Sequence, residues 1–374
     1  MDRAAAREVL QTMITSRPLT ALMAMTIAVS AAAPASGQTA CNLPDQTVAA
    51  RSPADVDSAA IRACVDSNAA GLKGDYDAIR QARQNLLTPL RAQTVSVFFR
   101  LAYSDALRPV LTPLVKDSNE DVAINAIRIA GELGTTDGAN LCVGALSDSR
   151  PSVRMMAASG LARTFSVLWT TPTIQAGPFS GIESRLAAAM AKESDPEVLD
   201  GFAMAYEAAM QIPGSTVSDA QHIALRSAAT TFGTIARKPD ADLVLVPAFL
   251  RTSKAMLDTL TQVAGGVRPP PEALREAGGF GGDLLAFSLR RLRSGQVSEA
   301  DRQKLAVLVG QAQNLVSVSG TLLGLPPKGY RLNTLVTDGN DQQYFRDVMN
   351  VIGAEGDLVK TPFNQRKERF IPTP

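Results

Sequence analysis

Between residues 107 and 165 apolar side chains fall at helical spacing, and the pattern then repeats. Val122, Ala126, Ile129, Ala130 and Leu133 recur at the period of one helix face. The phrase 116–133 is echoed by 147–163. Aligned on Val122 and Val153, 31 positions apart, Asp117 meets Asp148, Ser118 meets Ser149 and Ala126 meets Ala157. A third copy places Val198 in the valine slot, 45 positions after Val153, so about 14 residues are inserted before it. The insertion, 169–181, is rich in Pro, Gly and Thr and reads as a loop. Self-similarity at such a period marks stacked supersecondary units.

Each slot has a mechanical reason. Ser118, Ser149 and Ser194 stand where an N-cap should accept a backbone N–H. Ser194 and Glu197 have capping-box spacing. Pro151 and Pro196 fall in a first helical turn, where the missing N–H costs nothing. Another short helix precedes each phrase, at 106–115, 138–146 and 182–191. The unit is therefore a helix, a turn containing an acidic residue, and a capped helix.

This unit resembles the HEAT-repeat family. Arg154 after Val153 matches the family's Val-Arg pair, whereas Ala123 and Leu199 depart from it. The resemblance covers about residues 107–210. It implies an all-α, armadillo-like α-solenoid of stacked antiparallel helix pairs. It is nearly silent on function, since HEAT-like proteins include partner-binding proteins, lyases and nucleic-acid tools.

The flanking chain is organised around this stretch. Residues 1–37 read as a signal peptide, 38–105 as an N-terminal helical cap and 106–212 as the repeats. Residues 213–320 read as a helical continuation, and 321–374 as an irregular C-terminal region ending in a loose tail. Pro247 predicts a break within 243–263, and Gly278 to Gly282 predict an interruption between helices.

The N-terminus sets the expected address. Arg3, Arg7 and Arg17 precede an apolar run that ends in an Ala-x-Ala-like site after Ala35. That is an export signal, and the mature chain is expected to be periplasmic or secreted, with no segment long enough to cross a membrane. Cys41 and Cys64 would close a short loop as a disulfide in an oxidising compartment. Cys142 lies on an apolar helix face and reads as buried.

Composition narrows the chemistry. The chain has 37 basic and 36 acidic residues, so no global field draws it to nucleic acid. A single histidine, His222, removes most metal and triad arrangements. No Gly-x-Ser-x-Gly elbow or P-loop occurs. Arg290, Arg291, Arg293, Arg302 and Lys304 form the densest basic cluster and read as solvated helix ends. No catalytic residue, metal ligand or cofactor is assigned.

The first expectation is a non-catalytic scaffold binding a protein partner through the solenoid surface. Inner-face residues Asn125 and Arg128, with Arg154, are its candidate contacts, and Trp169, the one tryptophan, is its candidate anchor. Two alternatives stay open. One is an enzyme using carboxylates, or Tyr103 or Tyr206 beside an arginine, in a helical cavity. The other is a carrier of a small apolar ligand.

Overall fold

Helices alternate between two rows along almost the whole chain. A computed structural model describes residues 40–262, 268–295 and 297–370, and no strand occurs among them. The expected signal peptide, 1–37, lies outside the described residues. In chain order the helices are α1 (Asp45–Val48), α2 (Ser58–Ala69), α3 (Tyr76–Leu87), α4 (Val97–Leu114), α5 (Glu120–Leu133), α6 (Thr136–Ala145), α7 (Pro151–Val167) and α8 (Ala176–Met190). They continue as α9 (Pro196–Met210), α10 (Ala220–Arg237), α11 (Val246–Thr261), α12 (Pro271–Arg293), α13 (Glu299–Leu322), α14 (Leu332–Thr337) and α15 (Asp341–Ile352).

One row packs α3 on α5, α5 on α7, α7 on α9, α9 on α11, and α11 on α13, with α14 last. The other packs α2 on α4, α4 on α6, α6 on α8, α8 on α10, and α10 on α12, with α15 last. From α2 to α13 each helix touches its neighbours two places away, which is the geometry of a solenoid. The rows run past residue 212 without a change of plan. One apolar core lies between them, from Cys41 to Phe370.

The repeat phrases are helices for the reasons the pattern suggested, but their caps sit one residue later. Asn119 and Asp195 accept backbone N–H groups as N-caps, and Arg150 stands in the third cap position without a side-chain bond. The serines are displaced because an acid in the aligned slot organises the turn first. Asp117 Oδ1 accepts from Asn119 N, Asp148 Oδ1 from Arg150 N, and Glu193 Oε1 from Ser194 N and Asp195 N. Asp195, not Ser194, therefore caps α9. Pro151 and Pro196 do occupy first turns.

Other local readings are corrected by distant contacts. The boundary drawn at 105/106 falls inside α4, a single helix with Pro109 and Pro113 within it. The insertion is only partly loop, because α8 starts at Ala176 and buries Phe179 against Phe165. Pro247 starts α11 instead of breaking it. By length and composition alone α13 could cross a bilayer, contrary to the sequence reading, but it packs against α11, α12 and α14.

The glycine cluster does not interrupt α12. A Cβ on Gly278 would lie 2.3 Å from Phe363, and one on Gly282 would lie 2.6 Å from Phe370. The glycines form a trough for the C-terminal segment, so residues 358–370 are docked and not a loose tail. The basic cluster is likewise consumed by packing. Arg290 donates to Ala236 O, Arg302 pairs with Asp341 at 2.6 Å, and Arg293 lies over the Phe345 ring.

Candidate partner-binding groove

The helices α3, α5, α7 and α9 present their C-terminal halves side by side, and an open groove of about 640 Å³ runs across them. Two positions of the repeat build its floor. One holds Arg128, Ser159 and Met204; the other holds Glu132, Arg163 and Ala208. Successive members of each set are separated by the same 31 and 45 positions that separate the valines. The two positions are four apart on each helix and so share a face. At the centre the floor is backbone, because α5 and α7 touch at Gly131 and Gly160: a Cβ on Gly131 would lie 2.6 Å from Gly160 O.

Trp169 stands on the rim, 38% exposed. Its indole Nε1 donates to Ala208 O at 2.9 Å, tying the loop after α7 to the end of α9. The same loop is held on its other side, where Thr173 Oγ1 donates to Gly134 O and Ile174 is buried. The tryptophan is thus a fixed shelf, and half-buried Met156 and Met204 line the same groove.

Charge in the groove is unbalanced. Arg83, Arg91, Arg128, Arg163 and Arg251 face Glu132 and Glu207. Arg251 is neutralised locally by Asp200 at 3.0 Å and Glu207 at 3.2 Å. Arg163 has only a loose contact with Glu132, at 3.8 Å. Neither the Arg91 nor the Arg128 side chain has an ion pair or hydrogen bond among the described residues. Burial, then the neighbouring Arg128 and Arg91 guanidiniums, lower the pKa of Arg83. The surplus is therefore concentrated at the α3–α5 end.

The sequence candidates separate on this geometry. Arg128 and Trp169 line the groove. Asn125 is buried and acts one step back: its Oδ1 accepts from Arg83 and its Nδ2 donates to Asp121 O. Arg154 does not face the groove. It binds Glu193 of the next repeat through two bonds of 2.7 and 3.1 Å, and its remaining nitrogen serves the Asp148 and Ser149 carbonyls. Burial works to raise the Glu193 pKa, but Arg154 and two backbone N–H groups outweigh it and hold the carboxyl low. The sequence reading missed Arg83, Arg91, Arg163 and Arg251, although the repeat register carried the signal for Arg163.

The remaining candidates lie elsewhere. Tyr103 donates to Leu86 O in the core, and Tyr206 is buried against Ser227. Neither lines the groove. Cys41 and Cys64 are joined as a disulfide, and Cys142 is free and buried.

Comparison with known proteins settles the repeat type. The family model described as HEAT repeats matches residues 108–169. Those residues are HEAT repeats. Among solved structures, the chain is similar to two crystal structures of engineered proteins. One has 16% identity and covers 69% of this chain and 97% of that one, with a TM-score of 0.39. The other has 15% identity and covers 81% and 79%, with a TM-score of 0.31. No curated protein matches the chain. The HEAT repeats and the continuous rows make it a helical repeat scaffold.

Proposed function

We propose that this HEAT-repeat solenoid is an exported, non-catalytic scaffold that seats a protein partner in the groove along α3, α5, α7 and α9. The observation that carries the reading is the groove itself. It crosses successive repeats and combines a fixed aromatic shelf with the Arg91 and Arg128 guanidiniums, which have no partner among the described residues. Central aromatic and arginine side chains dominate protein interfaces because they bury large areas at little entropic cost. A near-zero net charge disfavours nucleic acid as the partner. Export is supported by the N-terminal pattern of charge and hydropathy, and the Cys41–Cys64 disulfide accords with an oxidising compartment. No cofactor is invoked.

The test is cross-linking in the native envelope, then affinity purification and mass spectrometry, with wild type beside Trp169→Ala. A dominant co-purifying protein that is depleted in the variant supports the reading. A partner recovered equally from both would remove the groove from the interface.

A further inference from the structure

Three of the five groove guanidiniums stand at one end and the apolar shelf at the other, where Arg163 and Arg251 also lie. Arg83, Arg91 and Arg128 gather where α3 meets α5, while Trp169, Met156 and Met204 lie where α7 meets α9. The five groove arginines face two glutamates, and one of those glutamates is spent on Arg251. Like charges held this close repel unless an anion enters between them, and Arg83 cannot turn away because Asn125 fixes it. Asn125 is itself fixed by Asp121 O, so the cluster is built from below.

We propose that the groove binds an extended acidic segment of a protein. Its carboxylates lie against Arg83, Arg91 and Arg128, and a large apolar side chain sits on the shelf of Trp169. This rests on the scaffold reading above and specifies its partner. Packed helix axes lie about 8–10 Å apart, so the two helix steps from α5 to α9 span roughly 16–20 Å. An extended chain covers that in about five or six residues. A compact anion such as phosphate could satisfy the arginines but would leave the apolar end empty. A segment of that length engages both ends.

Trp169 supplies the readout, because it is the one tryptophan and stands in the groove. The emission of the purified full chain is followed against synthetic decapeptides lacking tryptophan and tyrosine. The main probe carries four glutamates, a glycine–serine spacer and a terminal leucine. Control peptides replace the glutamates with glutamine, replace them with lysine, or replace the leucine with serine. The glutamate peptide is expected to shift the emission, and the glutamine peptide to bind at least about tenfold more weakly. The double variant Arg91→Glu, Arg128→Glu is expected to lose the same factor. Both residues are exposed, so the far-UV spectrum should stay unchanged. The leucine-to-serine peptide should bind more weakly at any salt, and added salt should weaken the glutamate peptide most.

Equal or tighter binding of the glutamine or lysine peptide would overturn the acidic assignment while leaving the groove in use. Tighter binding of a ten-nucleotide oligothymidylate would overturn it in favour of a polyphosphate. A silent Trp169 with every peptide would overturn it outright. The scaffold reading fails separately, through the absence of any enriched partner in the cross-linking experiment.

Discussion

Arg369 reaches back 86 positions to Asp283, and its Nη2 lies 2.8 Å from the Asp283 Oδ2. The aspartate is fully buried in α12 and is also held by Arg237 of α10 at 2.7 Å. Burial raises its pKa, and the two guanidiniums oppose that rise. Arg369→Ala removes one counter-charge from a buried carboxylate and is expected to cost about 3 kcal/mol. Urea unfolding checks this. Pairing Asp283→Leu with Arg369→Met should recover much of the loss, since the pair's desolvation cost disappears with it. Limited trypsin digestion of Arg369→Ala should also cut early after Arg366 or Lys367, in the released segment.

At the centre of the groove, α5 and α7 meet glycine to glycine. A Cβ on Gly131 collides with the Gly160 backbone, and one on Gly160 lies 2.7 Å from Cys142 Sγ. Backbone cannot swing aside as a side chain can. Gly131→Ala is expected to force the helices apart and cost about 1–3 kcal/mol, measured by denaturant titration. It should also weaken partner capture, because the groove floor shifts with the helices.

Glu183 on α8 is buried, and its Oε1 has no hydrogen-bond partner among the described residues. Burial pushes its pKa up to about 8, against smaller pulls from the Ser227 hydroxyl and Arg226. The folded state therefore keeps a proton that the unfolded chain has already released. Stability attributable to this site falls as pH rises from the ordinary carboxylate range through about 8, then levels off. The loss is at most about 5 kcal/mol. Glu183→Gln should flatten the melting temperature between pH 5 and pH 8 relative to wild type. Parallel curves for the two proteins would show that the carboxyl is not the origin of the slope.

The Cys41–Cys64 disulfide closes a loop between residues 23 positions apart. Loop-closure entropy makes such a bond worth about 3 kcal/mol. Cys41→Ser with Cys64→Ser should lower stability by that order in thermal unfolding. Reductant should destabilise wild type and leave the double variant unchanged.

What was legible in the sequence was whatever its neighbours determine. Val122, Val153 and Val198, the two first-turn prolines and the acids at 117, 148 and 193 act within one turn of where they are written, so the repeat could be read directly. The glycines of α12 could not. For three of them the reason is Phe363, Arg369 and Phe370, more than 80 positions away, and without those partners four glycines within five residues look like a break. The serine caps failed for a local reason, because the acid beside each serine takes the turn first. Half of the groove was within reach. Arg128 and Trp169 were singled out, and projecting Arg128 and Glu132 through the repeat would have added Ser159, Met204, Arg163 and Ala208. Arg154 misled because its two-bond partner, Glu193, belongs to the next repeat. Arg83, Arg91 and Arg251 sit outside the clear copies, where no register assigns them a face.

A stack of repeats has no intrinsic length, and here both ends of the described stack depart from the plain helix pair. The disulfide stitches its first turns together, and α14, α15 and the strap ending at Phe370 lie over its last pair. The groove itself is bounded inside the stack, by Arg83 and Arg91 on one side and Arg251 of α11 on the other. For the proposed acidic segment that span would act as a ruler: one too short to reach from the arginines to Trp169 would forfeit one end.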